Sequence, residues 1–110
     1  RVSQVFCSAL PVAYNRERLT RWAGLATLVL EAAYEATLLA GRLNHAQTGN
    51  PRVYLTLLGG GAFGNRREWI FAALERALQR AGAEGLDVSI VSYGRPDADL
   101  VAFVRRQLAK

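Results

Sequence analysis

The run VYLTLL, from Val53 to Leu58, restricts this chain more than any other feature. It is nearly continuous in apolar and β-branched residues, as strands covered on both faces of a parallel sheet are. GGGAFGN follows it directly, and a long helical periodicity lies on either side. A strand set between two helices belongs to an alternating order in which helices pack on a parallel sheet.

The remaining segments extend that order. VSQVFCSALPV reads as a first strand ending near Pro11, and LDVSIVSYG as a third. From about Arg21 to Asn44 a helix is expected. Leu25, Leu28, Val29, Ala32, Ala36, Leu39 and Leu43 recur there at three- and four-residue steps and mark its apolar stripe. Gly24 is placed to break or bend its beginning. After Asn65, residues Ile70, Ala73, Leu74, Ala77, Leu78 and Ala81 form the inner face of a second helix, which Gly82 and Gly85 end. Pro96 and Asp97 start a third helix, with Val101, Val104 and Leu108 on one side.

The expected fold is therefore one α/β domain over residues 1–110, a three-layer α/β/α sandwich in βαβαβα order. Three parallel strands make a thin sheet, and an apolar strand edge invites pairing. The sheet is thus expected to be incomplete, with further strands from an N-terminal fragment or from a homo-oligomer partner at the sheet edge. A chain that opens at Arg1, almost directly in a strand-like segment and without Met, reads as a trimmed product.

Composition narrows the partners. The 110 residues are 51% hydrophobic, and 14 basic against 9 acidic residues give a net charge of +5, which suits one small domain and an anionic ligand. All the basic residues but Lys110 are arginine, the better residue for gripping phosphate. They are scattered over several helices rather than striped with aromatics, which argues against nucleic acid. Cys7 alone excludes an internal disulfide, and His45 alone leaves neither a zinc constellation nor a serine triad. A reducing cytoplasm is the natural setting. The longest apolar stretch, WAGLATLVLEAAY, contains Glu31 and falls short of the roughly 20 residues of a membrane span, so no membrane is expected.

Right-handed crossovers place the C-terminal ends of parallel strands on one rim, where ligands of open α/β sheets bind. The glycine loop, the PVAYN loop with Tyr14 and Asn15, and the SYGRPD loop all fall there. Gly59, Gly61 and Gly64 satisfy a G-x-G-x-x-G spacing between a strand and a helix. Glycine lets a phosphate approach the backbone without meeting a Cβ, and the helix amides then point at the anion. Arg66 and Arg67 oppose the helix dipole, and an anion on the glycines reverses that sign. Alternatively both face water, offset by Glu68 in an Asn65-x-x-Glu68 cap. An NAD(P)-binding Rossmann-type enzyme needs an acidic residue at the end of the next strand, but that strand closes on Ser92, Tyr93 and Gly94. A third reading is a non-catalytic structural or interaction module whose glycine loop is only a turn.

The succession of strand, Gly-x-aromatic-Gly loop, helix, strand ending in an aromatic, and final helix resembles the second half of a macro domain. Gly61, Ala62, Phe63 and Gly64 match the last four positions of that family's Ser-Thr-Gly-x-Tyr/Phe-Gly loop, with Gly59 and Gly60 in place of Ser and Thr. The long helix and VFCSALPVAYN match the elements before it. The resemblance implies binding of ADP-ribose or a related nucleotide diphosphate, with no further cofactor. The loop from Gly59 to Asn65 would hold the diphosphate through the amides of Gly61 to Gly64. Phe63 would flank the distal ribose, Tyr93 would pack on the adenine, and Arg66 or Arg67 would add charge. The family's first half, which carries the residues that usually perform catalysis, has no counterpart here.

Overall fold

The computed structural model describes residues 3–10, 19–59 and 64–110. Five elements follow in order: α1 (Leu19–Thr48), β1 (Arg52–Thr56), α2 (Arg67–Ala81), β2 (Asp87–Val91) and α3 (Ala98–Leu108). The α/β class holds. β1 and β2 pair in parallel, with Arg52 opposite Asp87 and Thr56 opposite Val91, and α2 makes the crossover.

Two expectations about the sheet need correction. The first predicted strand is not one: residues 3–10 carry no strand pairing and lie against α1 instead. There the Cys7 thiol sits 3.9 Å from the Ala33 carbonyl and 3.7 Å from Thr37 Oγ1. The described residues also build two layers rather than three. Val53 and Leu55 of β1 are buried, and Val88 and Ile90 of β2 pack on the same core. Leu30, Tyr34 and Leu38 from α1, Ile70, Leu74 and Ala77 from α2, and Phe103 from α3 complete that one cluster. Arg52, Tyr54, Thr56, Asp87, Ser89 and Val91 face outward and are exposed, so the second sheet face carries no helix among the described residues.

α1 starts before the expected Arg21 and runs through Gly24 without interruption. Its buried face is Ala26, Leu30, Ala33, Tyr34 and Leu38, whereas Leu25, Leu28, Leu39 and Leu43 of the expected stripe are exposed. Both stripes have helical periodicity; Gly41 decides between them. A Cβ at position 41 lies 2.6 Å from Val53 Cγ2, so glycine lets the helix backbone come down onto β1 there and turns the neighbouring leucines outward. By length and composition Ala23–Thr48 is also apolar enough to cross a membrane, longer than the stretch weighed from sequence. In the fold one face of it is core.

α2 buries Ile70, Ala73, Leu74, Ala77 and Ala81 as its periodicity predicts. Gly82 closes it, donating its amide to the Leu78 carbonyl. Arg42 of α1 donates to the Ala81 carbonyl, placing a cation at the negative end of the α2 dipole. α3 turns Leu100 and Phe103 inward, not Leu108, which is 81% exposed. Phe103 stacks on Phe71 with ring centroids 4.9 Å apart, fixing α3 beside α2.

Candidate functional site

The C-terminal ends of both strands open on one rim, as the parallel order requires. A cleft of about 540 Å³ lies there. Thr56 and Leu57 at the end of β1 form one side, Ser92 and Tyr93 after β2 the other, and Arg67 and Asp97 at the starts of α2 and α3 its head.

The glycine loop leaves β1 beside this cleft. Gly59 has φ +70°, and a Cβ there lies 2.5 Å from both Ala9 Cβ and Asn65 Nδ2. No other residue type fits without displacing its neighbours. Asn65 is not the expected helix cap. It is 4% exposed and turned inward: Nδ2 donates to the Leu10 carbonyl at 2.8 Å and to the Gly59 carbonyl at 3.3 Å. Its backbone amide reaches the same Gly59 carbonyl at 2.8 Å. Both ends of the loop are thereby drawn together and fastened to residues 9–10. Gly60, Gly61, Ala62 and Phe63, together with Tyr14 and Asn15, lie outside the described residues; Gly64, at φ +73°, closes the loop.

The N-cap position of α2 belongs to Arg66, which makes no side-chain capping bond; its carbonyl accepts the amides of Trp69 and Ile70. Arg66 is exposed and is not part of the cleft wall. Arg67 is. It pairs with Asp97 Oδ2 and lies over the Phe71 ring, 5.7 Å from its centre. Asp97 thus answers the cation that the helix dipole disfavours. Both side chains are about half exposed, so the pair contributes at most about 1 kcal/mol. Asp97 has a second task, since its Oδ1 accepts the Leu100 amide at 3.0 Å and caps α3. Replacing Asp97 with alanine is expected to lower stability by about 1 kcal/mol, mostly through the lost cap. Asp97→Asn, which keeps an acceptor, should recover most of it in urea unfolding; equal loss in both variants would shift the weight to the ion pair.

Tyr93 is fully exposed at the tip of the turn after β2, where the Ser92 hydroxyl donates to the Gly94 carbonyl at 3.1 Å. It flanks the cleft as a flat surface and does not cap the sheet. The structure brings Tyr93 together with Arg67 and leaves Arg66 apart. No carboxylate stands at the end of β2, so the signature of a Rossmann dinucleotide site is lacking. Among the described residues no cluster of metal-ligating side chains forms.

Sequence reasoning missed Tyr34. Its phenol donates to the Thr56 carbonyl at 2.6 Å and accepts the Leu58 amide at 2.8 Å, completing the free edge of β1 just where the chain enters the glycine turn. Burial pushes the phenol up to about 12, partly countered by the Leu58 amide. An aromatic with one polar atom amid the helix's aliphatic residues was the available signal. Beyond Tyr34 the same edge of β1 opens on a groove of about 860 Å³, walled on its far side by residues 3–7.

Comparison with protein-family models, with curated proteins and with solved structures finds no match to this chain.

Proposed function

We propose that this chain is the ligand-binding part of a macro-domain-like fold and that it binds ADP-ribose or a closely related nucleotide diphosphate at Gly59–Asn65. The observation that supports this reading is the placement of a glycine-rich strand-to-helix loop, pinned shut by Asn65, beside a rim cleft that carries Arg67 and Tyr93. The cleft volume falls in the range of small-molecule sites. The diphosphate would lie against the amides of Gly61 to Gly64 and the first turn of α2, where free N–H groups favour an anion. Tyr93 offers its ring to the base.

The proposal includes the sheet. The groove along β1 has the unpaired edge and the length that an added strand uses, and the exposed face with Tyr54 and Val91 is where a third layer would pack. An N-terminal fragment or a second copy would supply them. Those same open surfaces favour the second reading, an interaction module with no ligand at its glycine loop.

Calorimetry with ADP-ribose, NAD, ADP and AMP separates the readings. ADP-ribose is expected to bind, and Gly61→Val to abolish binding, because the valine side chain obstructs the approach of phosphate. Binding of none of the four leaves the interaction module standing. Tight binding that survives Gly61→Val moves the site off the loop, and preference for NAD over ADP-ribose restores the dinucleotide enzyme.

A further inference from the structure

Leu25, Val29, Ala32, Ala36, Leu39 and Leu43 follow one another along α1 in alternating steps of four and three residues. They point away from the core. Leu25, Leu39 and Leu43 are 48%, 51% and 60% exposed, and Leu28 beside them is 60% exposed. Ala32 and Ala36 are exposed and Val29 is half-buried. Alternation of four and three is the spacing by which one helix seats its side chains between those of another at a shallow angle. The core built by the described residues uses the opposite face of α1, and this seam takes no part in it.

We propose that the seam binds the same seam of a second copy, as an antiparallel helix pair about a two-fold axis. Residue size along it is symmetric about the level of Tyr34: larger at Leu25 and Val29, small at Ala32 and Ala36, larger again at Leu39 and Leu43. A two-fold axis at that level sets Leu25 and Val29 of one copy against Leu43 and Leu39 of the other. Ala32 meets Ala36, where small side chains let the backbones approach. This is the self-complementarity that an isologous interface demands.

Charge agrees with that occupant. No charged residue lies in the seam, and Glu31 and Glu35 on its flank are answered within the chain by Arg76 at 3.2 Å and Arg80 at 3.6 Å. Like flanks therefore meet as neutral pairs rather than as facing carboxylates. A lipid surface fits less well, because interfacial helices rich in lysine and arginine on the polar face are the ones that suit it. A specific interface needs roughly 1,000 Å² in total, and one helix face from each copy sits at the low end of that range. The dimer is accordingly a weak one, seen at micromolar concentration and above.

Sedimentation equilibrium up to several hundred micromolar tests this on the wild-type chain, on Leu39→Glu and on Leu108→Glu, an exposed leucine on α3 as control. The wild type and Leu108→Glu are expected to pass from monomer to dimer. Leu39→Glu enters the interface twice by symmetry and should raise the dissociation constant roughly a hundredfold or more, with an unchanged helical circular dichroism spectrum. A wild type that stays monomeric at the highest concentration overturns the proposal, and so does a dimer that survives Leu39→Glu. Flotation with phosphatidylcholine–phosphatidylserine vesicles that Leu39→Glu abolishes, in a chain that forms no dimer, assigns the seam to lipid and overturns it as well.

Discussion

Gly59→Ala destabilises the protein by about 2–5 kcal/mol, read as a lower urea midpoint at unchanged slope. Two independent terms combine. A side chain held at φ +70° costs roughly 1–2 kcal/mol relative to glycine. The new methyl also collides with Ala9 and with the Asn65 amide, and overpacking of this kind costs about 1–3 kcal/mol. Gly85 provides the control. It has φ +81° with no atom near its would-be Cβ, so Gly85→Ala carries the conformational term alone. Equal losses at the two positions would mean that the contact of the loop with residues 9–10 contributes nothing. The expected difference measures how firmly that contact holds the loop, and hence how well the proposed anion site is organised before any ligand arrives.

Tyr34→Phe removes one oxygen and about 1–3 kcal/mol. The ring still fills its place in the core, so packing is kept. The Thr56 carbonyl and the Leu58 amide lose their partner together, and unpaired backbone groups of this kind cost more than the bond that satisfied them gained. A pH profile isolates the phenol. Its pKa is raised from 10.0 to about 12 in the folded chain, so the unfolded state gives up its proton first. Its contribution is fully present below pH 10 and is lost as the pH climbs from about 10 to about 12, amounting to roughly 2–3 kcal/mol across that window. The Phe variant should lack this alkaline decline. A variant with an unchanged decline would assign it to other groups.

The residues that were legible and those that were not differ for physical reasons. On α2 a single apolar stripe exists, so periodicity names the buried face correctly. On α1 two stripes of equal periodicity compete, and the richer in leucine is the exposed one. What selects the other is a close approach at Gly41 to a strand residue twelve positions away, which no local window contains. Apolar character alone suggests a strand before α1, whereas a strand exists only where a neighbouring strand shares its hydrogen bonds, and residues 3–10 have no such neighbour among the described residues. At the site, the rim and the entry into the loop at Gly59 follow from the order of elements. Asn65 does not, because a capping asparagine and an asparagine folded under its own loop have the same local sequence. That Arg67 rather than Arg66 lines the cleft has the same origin: α2 begins at Arg67, one residue later than the Asn65 cap pattern implies.

The parallel pairing of β1 and β2 also ties the rim to the packing of the helices. Arg52 and Asp87 stand opposite each other but 35 positions apart, and all of α2 lies in the intervening chain. Closing so long a loop is entropically unfavourable until contacts on it compensate. Those contacts are the ones α1 and α2 make with each other through Leu30, Tyr34, Leu38, Ala73 and Ala77. The α1–α2 contact is at least as non-local, since Leu38 and Ala73 also lie 35 positions apart, so helix packing and strand pairing close the same stretch of chain and support each other. A change that loosens α1 against α2 is therefore expected to loosen the rim as well, so the part of the molecule that meets a ligand depends on helix packing away from it.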